Sequence, residues 1–162
     1  MSSSTPKVVF DCNIFVQMLL TPGGSAAACK TLVENGEVIL FVSQAILAEV
    51  LDVLSRPRFK QLIPDLTPGR IEAFVEEIIS IAVLIANVPE EFRYERDPED
   101  EPYINLALVT GAKYIVSFDK DLLDLVNPAV EQSREFQRRY PMLRVVTPVI
   151  LLADIGQNPE RK

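Results

Sequence analysis

Apolar residues along this sequence follow two alternating patterns. Short uninterrupted apolar runs, such as positions 8–10, which follow Lys7, and positions 38–42, are typical of strands that are buried on both faces of a parallel sheet. Between such runs, apolar residues recur every three or four positions, which is the spacing of an amphipathic helix. Further strands are predicted at 81–86, 114–117 and 143–146, and the first of these three is expected to lie at an edge of the sheet.

Helices are predicted where the helical spacing is bounded by capping residues or by residues that end helices. Ser43 and Thr67 are suited to begin two helices, and Ser25 is suited to begin a third that ends near Asn35. The polar segment 127–140 is predicted to be a loop with some helix. The predicted helices cover 13–20, 25–35, 44–55, 67–79, about 98–110, 120–126 and 148–155.

This alternation of strands and helices predicts the class of fold. Successive strands that are joined by helices form parallel sheets with helices on both faces. We therefore expect an α/β fold with a mostly parallel sheet of four to five strands. At 162 residues the chain is expected to form one domain with a core at about 7–155 and flexible tails at 1–6 and 156–162.

Composition excludes several classes of chemistry. The chain has no His, which rules out Ser-His-Asp, Cys-His and His-ligated zinc mechanisms. Cys12 and Cys29 lack the spacing of a metal site, and no disulfide is expected. The formal charge of −7 is unlike that of a protein that attracts nucleic acid by its bulk charge, so a polyanionic substrate would require bound cations.

Membrane and secretory features are not predicted. The longest apolar run, at 78–86, is interrupted by Ser80 and is much shorter than the roughly 20 residues that span a bilayer. The first residues do not combine a charged region, an apolar region and a cleavage site, so no secretory signal is predicted. We expect a cytoplasmic protein that does not enter a membrane.

Acidic residues are concentrated where this fold binds ligands. Parallel α/β sheets bind ligands beyond the carboxyl ends of their strands, near the point where the strand order reverses. One acid follows the first predicted strand, one follows the fourth, one lies early in the helix after the second strand, and several begin the helix before the fourth strand. The six candidates are Asp11, Glu49, Asp97, Asp100, Glu101 and Asp119.

Each acid taken alone also has a structural interpretation. Asp11, Asp97 and Asp119 are suited to cap helices, and Glu49 is suited to a solvated helix face. Together, the carboxylates would repel one another unless a cation lay between them, and Mg²⁺ or Mn²⁺ suits a site of carboxylates and water. Such ions can activate water for phosphodiester hydrolysis, so we expect a metal-dependent hydrolase.

Four segments, in order, resemble the motifs of PIN-domain ribonucleases. They are 9–15 (VFDCNIF), 47–51 (LAEVL), 96–101 (RDPEDE) and 111–123 (GAKYIVSFDKDLL), and the late segment 144–148 (RVVTP) resembles the toxin branch of this family. The resemblance covers residues 7–152. It implies a PIN-like three-layer α/β/α sandwich and cleavage of single-stranded RNA with Mg²⁺ or Mn²⁺. It also implies a small antitoxin protein as partner and a homodimer.

The resemblance implies a metal-binding quartet of Asp11, Glu49, one acid of the third segment, and Asp119. Counting back from Asp119 leads to Glu101, whereas the Asp-Pro-x-Asp pattern leads to Asp97 and Asp100. We predict Asp100 and keep the other two as alternatives. Helical spacing predicts that all three share one face while Glu99 points elsewhere. Asn13, Ser117 and Asp121 are predicted as supporting residues, and Cys12 stands where the family usually has Thr or a small residue.

Residues that would hold the substrate are less clearly indicated. Arg56, Arg58 and Lys60 follow the Glu49 helix, and Arg134, Arg138 and Arg139 lie in the polar segment, so either group could bind phosphates. Phe59 and Tyr103 could stack on bases or pack in the core.

Two alternative functions remain open on the sequence. A non-catalytic module could keep the fold and use the acidic edge to bind RNA or a protein. A phosphatase or receiver-like domain could use an Asp at a strand end to accept phosphate. The second requires a Lys and a hydroxyl at other strand ends, and the sequence offers no convincing set.

Overall fold

Five parallel strands form a single sheet in the computed structural model of the chain, which describes residues 4–156. Residues 1–3 and 157–162, which make up most of the two predicted tails, lie outside the described part. The strand order is β3-β2-β1-β4-β5, with every neighbouring pair parallel. The strands are β1 (Lys7–Phe10), β2 (Ile39–Ser43), β3 (Ala82–Ile85), β4 (Tyr114–Val116) and β5 (Arg144–Val146).

Helices connect these strands and follow the last one. The α-helices in residues 4–156 are α1 (Cys12–Leu20), α2 (Ser25–Glu34), α3 (Gln44–Leu54), α4 (Pro57–Leu62), α5 (Pro68–Ile81), α6 (Glu101–Thr110), α7 (Lys120–Leu123), α8 (Glu131–Arg139) and α9 (Pro148–Gly156). Two 3₁₀ turns, Pro98–Asp100 and Asp124–Val126, precede α6 and follow α7. Within the described residues, no helix is both long enough and apolar enough to cross a membrane.

The sheet is covered on both faces, as the apolar runs predict. Val8 and Val9 are neighbours in β1, so their side chains point to opposite faces of the sheet, and both are fully buried. The chain moves from β1 to β2 to β3 in one direction, then returns across the sheet to β4 and β5. Because such crossovers are right-handed, the two directions place their helices on opposite faces. Helix α6 packs directly against β1, β2 and β4.

The structure confirms the predicted α/β fold and differs from the sequence analysis in two local features. Gly24, not Ser25, is the residue that precedes α2, and Ser25 is the first helical residue. The segment predicted as a loop with some helix contains the nine-residue helix α8, which buries Phe136 against Phe92 with ring centroids 4.9 Å apart. Ser43 and Thr67 cap α3 and α5 through their side chains, as predicted.

The strand order places a crevice at the carboxyl ends of β1 and β4. The chain leaves β1 toward β2 on one side, and it leaves β4 toward β5 on the other side. Adjacent strands whose connections leave in opposite directions form the crevice in which open α/β sheets bind ligands. Asp11 follows β1 directly, and Ser117 follows β4 directly.

Candidate metal centre

Asp11 is held at the crevice by both its backbone and its side chain. Its N–H donates to the carbonyl of Val116 at 3.1 Å, which extends the pairing of β1 with β4 by one residue. Its carboxylate caps α1 by accepting the N–H of Ile14 at 3.2 Å. Asp11 is buried, so the cap also fixes a carboxylate at the floor of the crevice.

Ser117 connects Asp11 with Asp119. The Ser117 hydroxyl donates a hydrogen bond to the Asp11 carboxylate and accepts the backbone N–H of Asp119 at 2.8 Å. The Asp119 carboxylate in turn accepts the N–H of Asp121 at 2.9 Å and so caps the short helix α7. Ser117 is fully buried, so its hydroxyl orients the ends of both strands from beneath the crevice.

The acidic segment before α6 supplies the other wall. Asp97 caps the Pro98–Asp100 turn by accepting the N–H of Glu99 at 3.2 Å. This turn directs Asp100 toward Asp119 from the other side of the crevice. Carboxylate oxygens of Asp97, Asp100 and Asp119 all lie within 4.8 Å of one another.

Asp100 has an exceptional environment among these acids. Only 7% of its surface is exposed, and its Oδ2 atom is buried without a hydrogen-bond partner. Buried polar atoms in proteins nearly always have partners, and an unpaired carboxylate oxygen is costly. Asp100 also lies close to the carboxylates of Asp97 and Asp119, so a cation bound by these three groups would offset the cost of burying it.

One open cavity of about 340 Å³ joins these groups. It brings together all of the predicted acids except Glu101, and it also includes Glu99, which was expected to point away. The lining residues are Asp11, Cys12, Asn13, Glu49, Asp97, Glu99, Asp100, Tyr103, Phe118 and Asp119.

Glu49 reaches this cavity from α3, where Tyr103 fixes its position. The Tyr103 hydroxyl donates a hydrogen bond to the Glu49 carboxylate. Tyr103 is only 2% exposed, so of the two roles open on the sequence its ring has the one in the core and not the one in base stacking. Burial, together with the hydrogen bond to Glu49, raises the pKa of the Tyr103 phenol and keeps it a donor.

Glu101 was predicted to face the other acids and Glu99 to point away from them, and the structure shows the reverse for both. The Glu101 carboxylate turns away from the cavity and accepts the N–H of Tyr94 at 2.8 Å. Glu99 lines the cavity instead. The prediction fails here because residues 98–100 form a 3₁₀ turn, whose three-residue period rotates side chains differently from an α-helix.

Glu101 has a second role that the sequence did not indicate. Together with Asn105, it anchors the segment that leads into the acidic turn. The Asn105 side-chain oxygen accepts the N–H groups of Glu91 and Phe92 at 3.0 and 2.7 Å, and its amide donates to the Phe92 carbonyl at 3.1 Å. These contacts position the turn that carries Asp97 and Asp100.

Burial and mutual repulsion change the protonation of the carboxylates. Burial, followed by the charges of Asp119, Asp97 and Asp11, raises the pKa of Asp100 to about 8. Burial also raises the pKa of Asp11 to about 6, although the hydrogen bonds from Ser117 and Ile14 oppose that shift. The pKa of Asp97 is raised as well, first by burial. All three shifts mean that the ionised forms of these carboxylates are disfavoured in the protein by itself, first by burial and then by their mutual repulsion.

The donor set fits a hard divalent cation. Every carboxylate in the cavity offers oxygen, which is the ligand atom that Mg²⁺ and Mn²⁺ prefer. The one soft donor in the lining is the Cys12 thiol, and burial together with the charges of Glu49 and Asp11 raises its pKa to about 12. A soft metal would find one sulfur donor among many oxygens, so the donor set favours a hard cation. Asp97, Asp100 and Asp119 could hold such a cation, with Asp11 and Glu49 at its margin.

The predicted supporting residues occupy different places around the cavity. Asn13 is exposed at the rim, and Ser117 lies beneath it. The Asp121 carboxylate pairs with Arg96 at 2.7 Å, and Arg96 also pairs with Asp124 at 2.9 Å. Asp121 therefore contributes to the centre through its backbone N–H, while its side chain holds a neighbouring Arg.

The predicted phosphate-binding residues do not line the cavity. Arg56 pairs with Asp52 at 3.2 Å, and Arg58 lies over the ring of Phe59 with its guanidinium carbon 4.7 Å from the centroid. Phe59 is buried and belongs to the core, so it is not a base-stacking surface. Lys60, Arg134, Arg138 and Arg139 are all exposed and outside the cavity.

Two residues of this site, Tyr103 and Phe118, were not predicted in the places that the structure gives them. No pattern links Tyr103 with Glu49, because they are 54 positions apart and only the packing of α3 near α6 brings them together. Phe118 was overlooked although a signal exists. It is an aromatic residue just beyond the end of a buried strand, next to an acid, where this class of fold binds ligands.

Comparison with known proteins agrees with this arrangement. The chain is 29% identical over 119 residues to the uncharacterised protein MJ1680 of Methanocaldococcus jannaschii, and the alignment covers 74% of each chain. A family model described as PIN domain matches residues 7–121, a range that contains every residue lining the cavity. Because this match extends over well more than half of the sequence, the chain belongs to the PIN domain family.

Proposed function

We propose that this protein is a divalent-metal-dependent endoribonuclease that cleaves single-stranded RNA. PIN domains are generally metal-dependent nucleases. The observation that carries the proposal is the convergence of Asp97, Asp100 and Asp119, whose oxygens lie within 4.8 Å of one another in an open cavity. The choice of RNA rests on the resemblance of the four segments to PIN-domain ribonucleases.

Each residue of the centre has a role in this proposal. Asp97, Asp100 and Asp119 hold the cation, which is Mg²⁺ or Mn²⁺. When bound, such a cation lowers the pKa of water and offsets negative charge on a phosphodiester. Asp11 and Glu49 lie beside it with fixed carboxylates, which suits them to complete the ligand set or to orient a water molecule by accepting its hydrogen bonds.

A single-stranded substrate suits the shape of the site. The acids lie at the floor of a cleft, and two of them, Asp11 and Asp100, are buried. A flexible single strand can bend so that one phosphate reaches this floor, whereas a duplex is stiff and bends only at a cost in free energy. The cavity opens to the surface on the side of Asn13 and Phe118, both of which are exposed.

We further propose that the protein acts as the toxin of a toxin–antitoxin pair, with a small antitoxin protein as partner, and that it forms a homodimer. The resemblance to the toxin branch supports the first part. Exposed apolar side chains on α3 and α4 support a protein interface, since Leu51 is 45% exposed and Leu62 is 64% exposed. Light scattering of wild-type and Leu51→Glu protein tests the dimer, which the charged variant should weaken.

Cleavage of a fluorescent, unstructured RNA by the purified protein tests the main proposal. We expect cleavage with Mn²⁺ or Mg²⁺, its loss with EDTA, and its loss in Asp11→Asn protein that retains the wild-type circular dichroism spectrum. Asp65→Asn is the matched control, because Asp65 forms an exposed ion pair with Arg70 outside the cavity. Cleavage that survives EDTA, or that Asp11→Asn protein retains in full, would contradict the proposal.

The same experiment separates the enzyme from a non-catalytic module with the same fold. Asp11, Asp97 and Asp119 each accept a backbone N–H at the start of a helix or turn, so they stabilise the structure whether or not they take part in catalysis. A binding module would take up Mn²⁺ and RNA without cutting the strand. Cleavage products that appear only with the metal exclude this alternative.

A further inference from the structure

Phe118 is the one exposed aromatic residue in the described part of the chain. All eight Phe and four Tyr lie within residues 4–156, and every other one is buried or half-buried. Phe118 is 42% exposed and lines the cavity of the candidate metal centre. Single exposed apolar side chains are common on proteins, so what distinguishes Phe118 is that its exposed ring lies in the lining of the cavity, beside the acids.

The backbone on either side of Phe118 is fixed. The N–H of Ser117 donates to the carbonyl of Val146 at 2.9 Å, which continues the pairing of β4 with β5. The N–H of Asp119 donates to the Ser117 hydroxyl at 2.8 Å. Phe118 therefore lies between two anchored residues, and its ring is presented at the cleft by a rigid support. Such a surface binds a ligand with little loss of conformational entropy.

The cleft also lacks an obvious means of gripping a polyanion. Its lining includes six carboxylates and no Lys or Arg among the described residues. A cation can offset charge at one phosphate, but the flanking nucleotides need another source of affinity. Stacking of a base on an aromatic ring supplies affinity that depends little on charge or on the identity of the base.

We propose that Phe118 is a stacking platform for one base of a single-stranded RNA, next to the phosphate whose charge a cation at the carboxylates would offset. This inference rests on the proposed function and extends it by naming a residue that binds the substrate. Phe59 and Tyr103, for which stacking was the other role open on the sequence, are both buried and pack in the core. Because stacking tolerates any base, the protein should show weak sequence preference at this position.

A series of variants at Phe118 tests the proposal through kinetics with Mn²⁺. Phe118→Ala should raise KM about 5- to 150-fold, which is the range for the loss of one stacked base, and should change kcat less. Phe118→Tyr and Phe118→Trp should stay close to wild type, because both keep an aromatic face. Phe118→Leu keeps apolar surface without that face and should behave like Phe118→Ala. Met142→Ala is the control, since Met142 is 79% exposed and lies outside the cavity.

Substrates that lack one base provide a readout that a merely structural residue would not affect. An abasic nucleotide is placed at successive positions of the RNA, and KM is measured for wild-type and Phe118→Ala protein. At one position the missing base should weaken binding by wild-type protein, and it should have little further effect on the variant. Equal penalties in the two proteins at every position would overturn the proposal.

The remaining outcomes are also decisive. If wild-type protein cleaves RNA and the Phe118 variants have wild-type KM, stacking is wrong and the ribonuclease stands. If Phe118→Leu matches wild type, the residue supplies only apolar surface, and the stacking proposal is overturned. If KM is unchanged but the molar mass of the protein falls, Phe118 belongs to a protein interface instead. If wild-type protein neither binds nor cleaves RNA, the proposed function fails together with this inference.

Discussion

The hydroxyl of Ser117 donates a hydrogen bond to the carboxylate of Asp11 across 106 positions of sequence. The two residues follow β4 and β1, the adjacent strands between which the chain changes direction. Since the same hydroxyl accepts the N–H of Asp119, one small side chain sets the relative positions of two carboxylates. The geometry of the candidate metal centre therefore depends on how these two strands pair.

Replacing Ser117 with Ala should weaken the centre without removing any carboxylate. Asp11 would lose its donor, and the pKa of Asp11 would rise further because that hydrogen bond lowers it. We expect Mn²⁺ affinity to fall about 10- to 100-fold, as is typical when a residue that orients a ligand is lost. Titration of wild-type, Ser117→Ala and Ser117→Thr protein measures this, with Thr expected to preserve part of the affinity. Unchanged Mn²⁺ affinity in Ser117→Ala protein would argue against a role for Ser117 in orienting Asp11 and Asp119.

Replacing Tyr103 with Phe should reduce cleavage while leaving the fold intact. The variant keeps the buried ring and removes the hydroxyl that holds Glu49. We expect an activity loss of about 10- to 100-fold, with a change in unfolding free energy of about 1 kcal/mol. Tyr114→Phe is a matched control, because Tyr114 donates to Asp154 at 3.1 Å outside the cavity. Equal activity of the two variants would contradict a role for Tyr103 in positioning Glu49.

Stability of the metal-free protein should fall as pH rises from about 4 to about 8. Folding raises the pKa of Asp11 from 3.8 to about 6 and that of Asp100 from 3.8 to about 8. In this window the folded state keeps protons that the unfolded state releases, and a rise in pH then favours unfolding. Urea unfolding in EDTA at pH 5, 7 and 8.5 measures the slope, and adding Mn²⁺ at pH 8.5 should restore stability.

An Asp100→Asn variant identifies the source of that slope. The amide cannot ionise, so the variant should be more stable than wild type at pH 8.5, by on the order of 1–3 kcal/mol. At pH 5, where Asp100 of the wild type is protonated in the folded state, the two proteins should differ less. The opposite result would be a rise in the stability of metal-free wild-type protein between pH 5 and pH 8.5. That result would show that burial and repulsion of these acids do not govern how its stability depends on pH.

The spacing of apolar residues predicts most of the fold, because it reflects which side chains are buried. The apolar runs that became β1, β2 and β4 contain residues that are buried on both faces of the sheet, and Ser43 and Thr67 are caps with a local signature. Helix α8 was predicted poorly because most of its residues are polar, and what holds it is the contact of Phe136 with Phe92. Such a contact between distant segments leaves no periodic signal.

The candidate site was likewise predictable where it depends on the fold class, and not where it depends on contacts between particular residues. Asp11 and Asp119 come just after two parallel strands, and the fold class places the carboxyl ends of such strands at one edge of the sheet. The proximity of these two acids could therefore be predicted. The orientation of Glu99, Asp100 and Glu101 depends on the 3₁₀ turn and on the capture of Glu101 by the N–H of Tyr94. Both are details of backbone geometry that spacing rules for α-helices do not contain.

Binding of Mn²⁺ to wild-type, Asp100→Asn and Glu101→Gln protein tests the central claim most directly. These two neighbouring acids differ in the structure, since Asp100 lies with Asp97 and Asp119 whereas Glu101 faces the backbone of Tyr94. Calorimetric titration at pH 8 should show that Glu101→Gln protein binds Mn²⁺ as wild type does, and that Asp100→Asn protein binds it at least about 10-fold more weakly. Wild-type affinity in Asp100→Asn protein, or loss of binding in Glu101→Gln protein alone, would contradict the assignment of the metal centre.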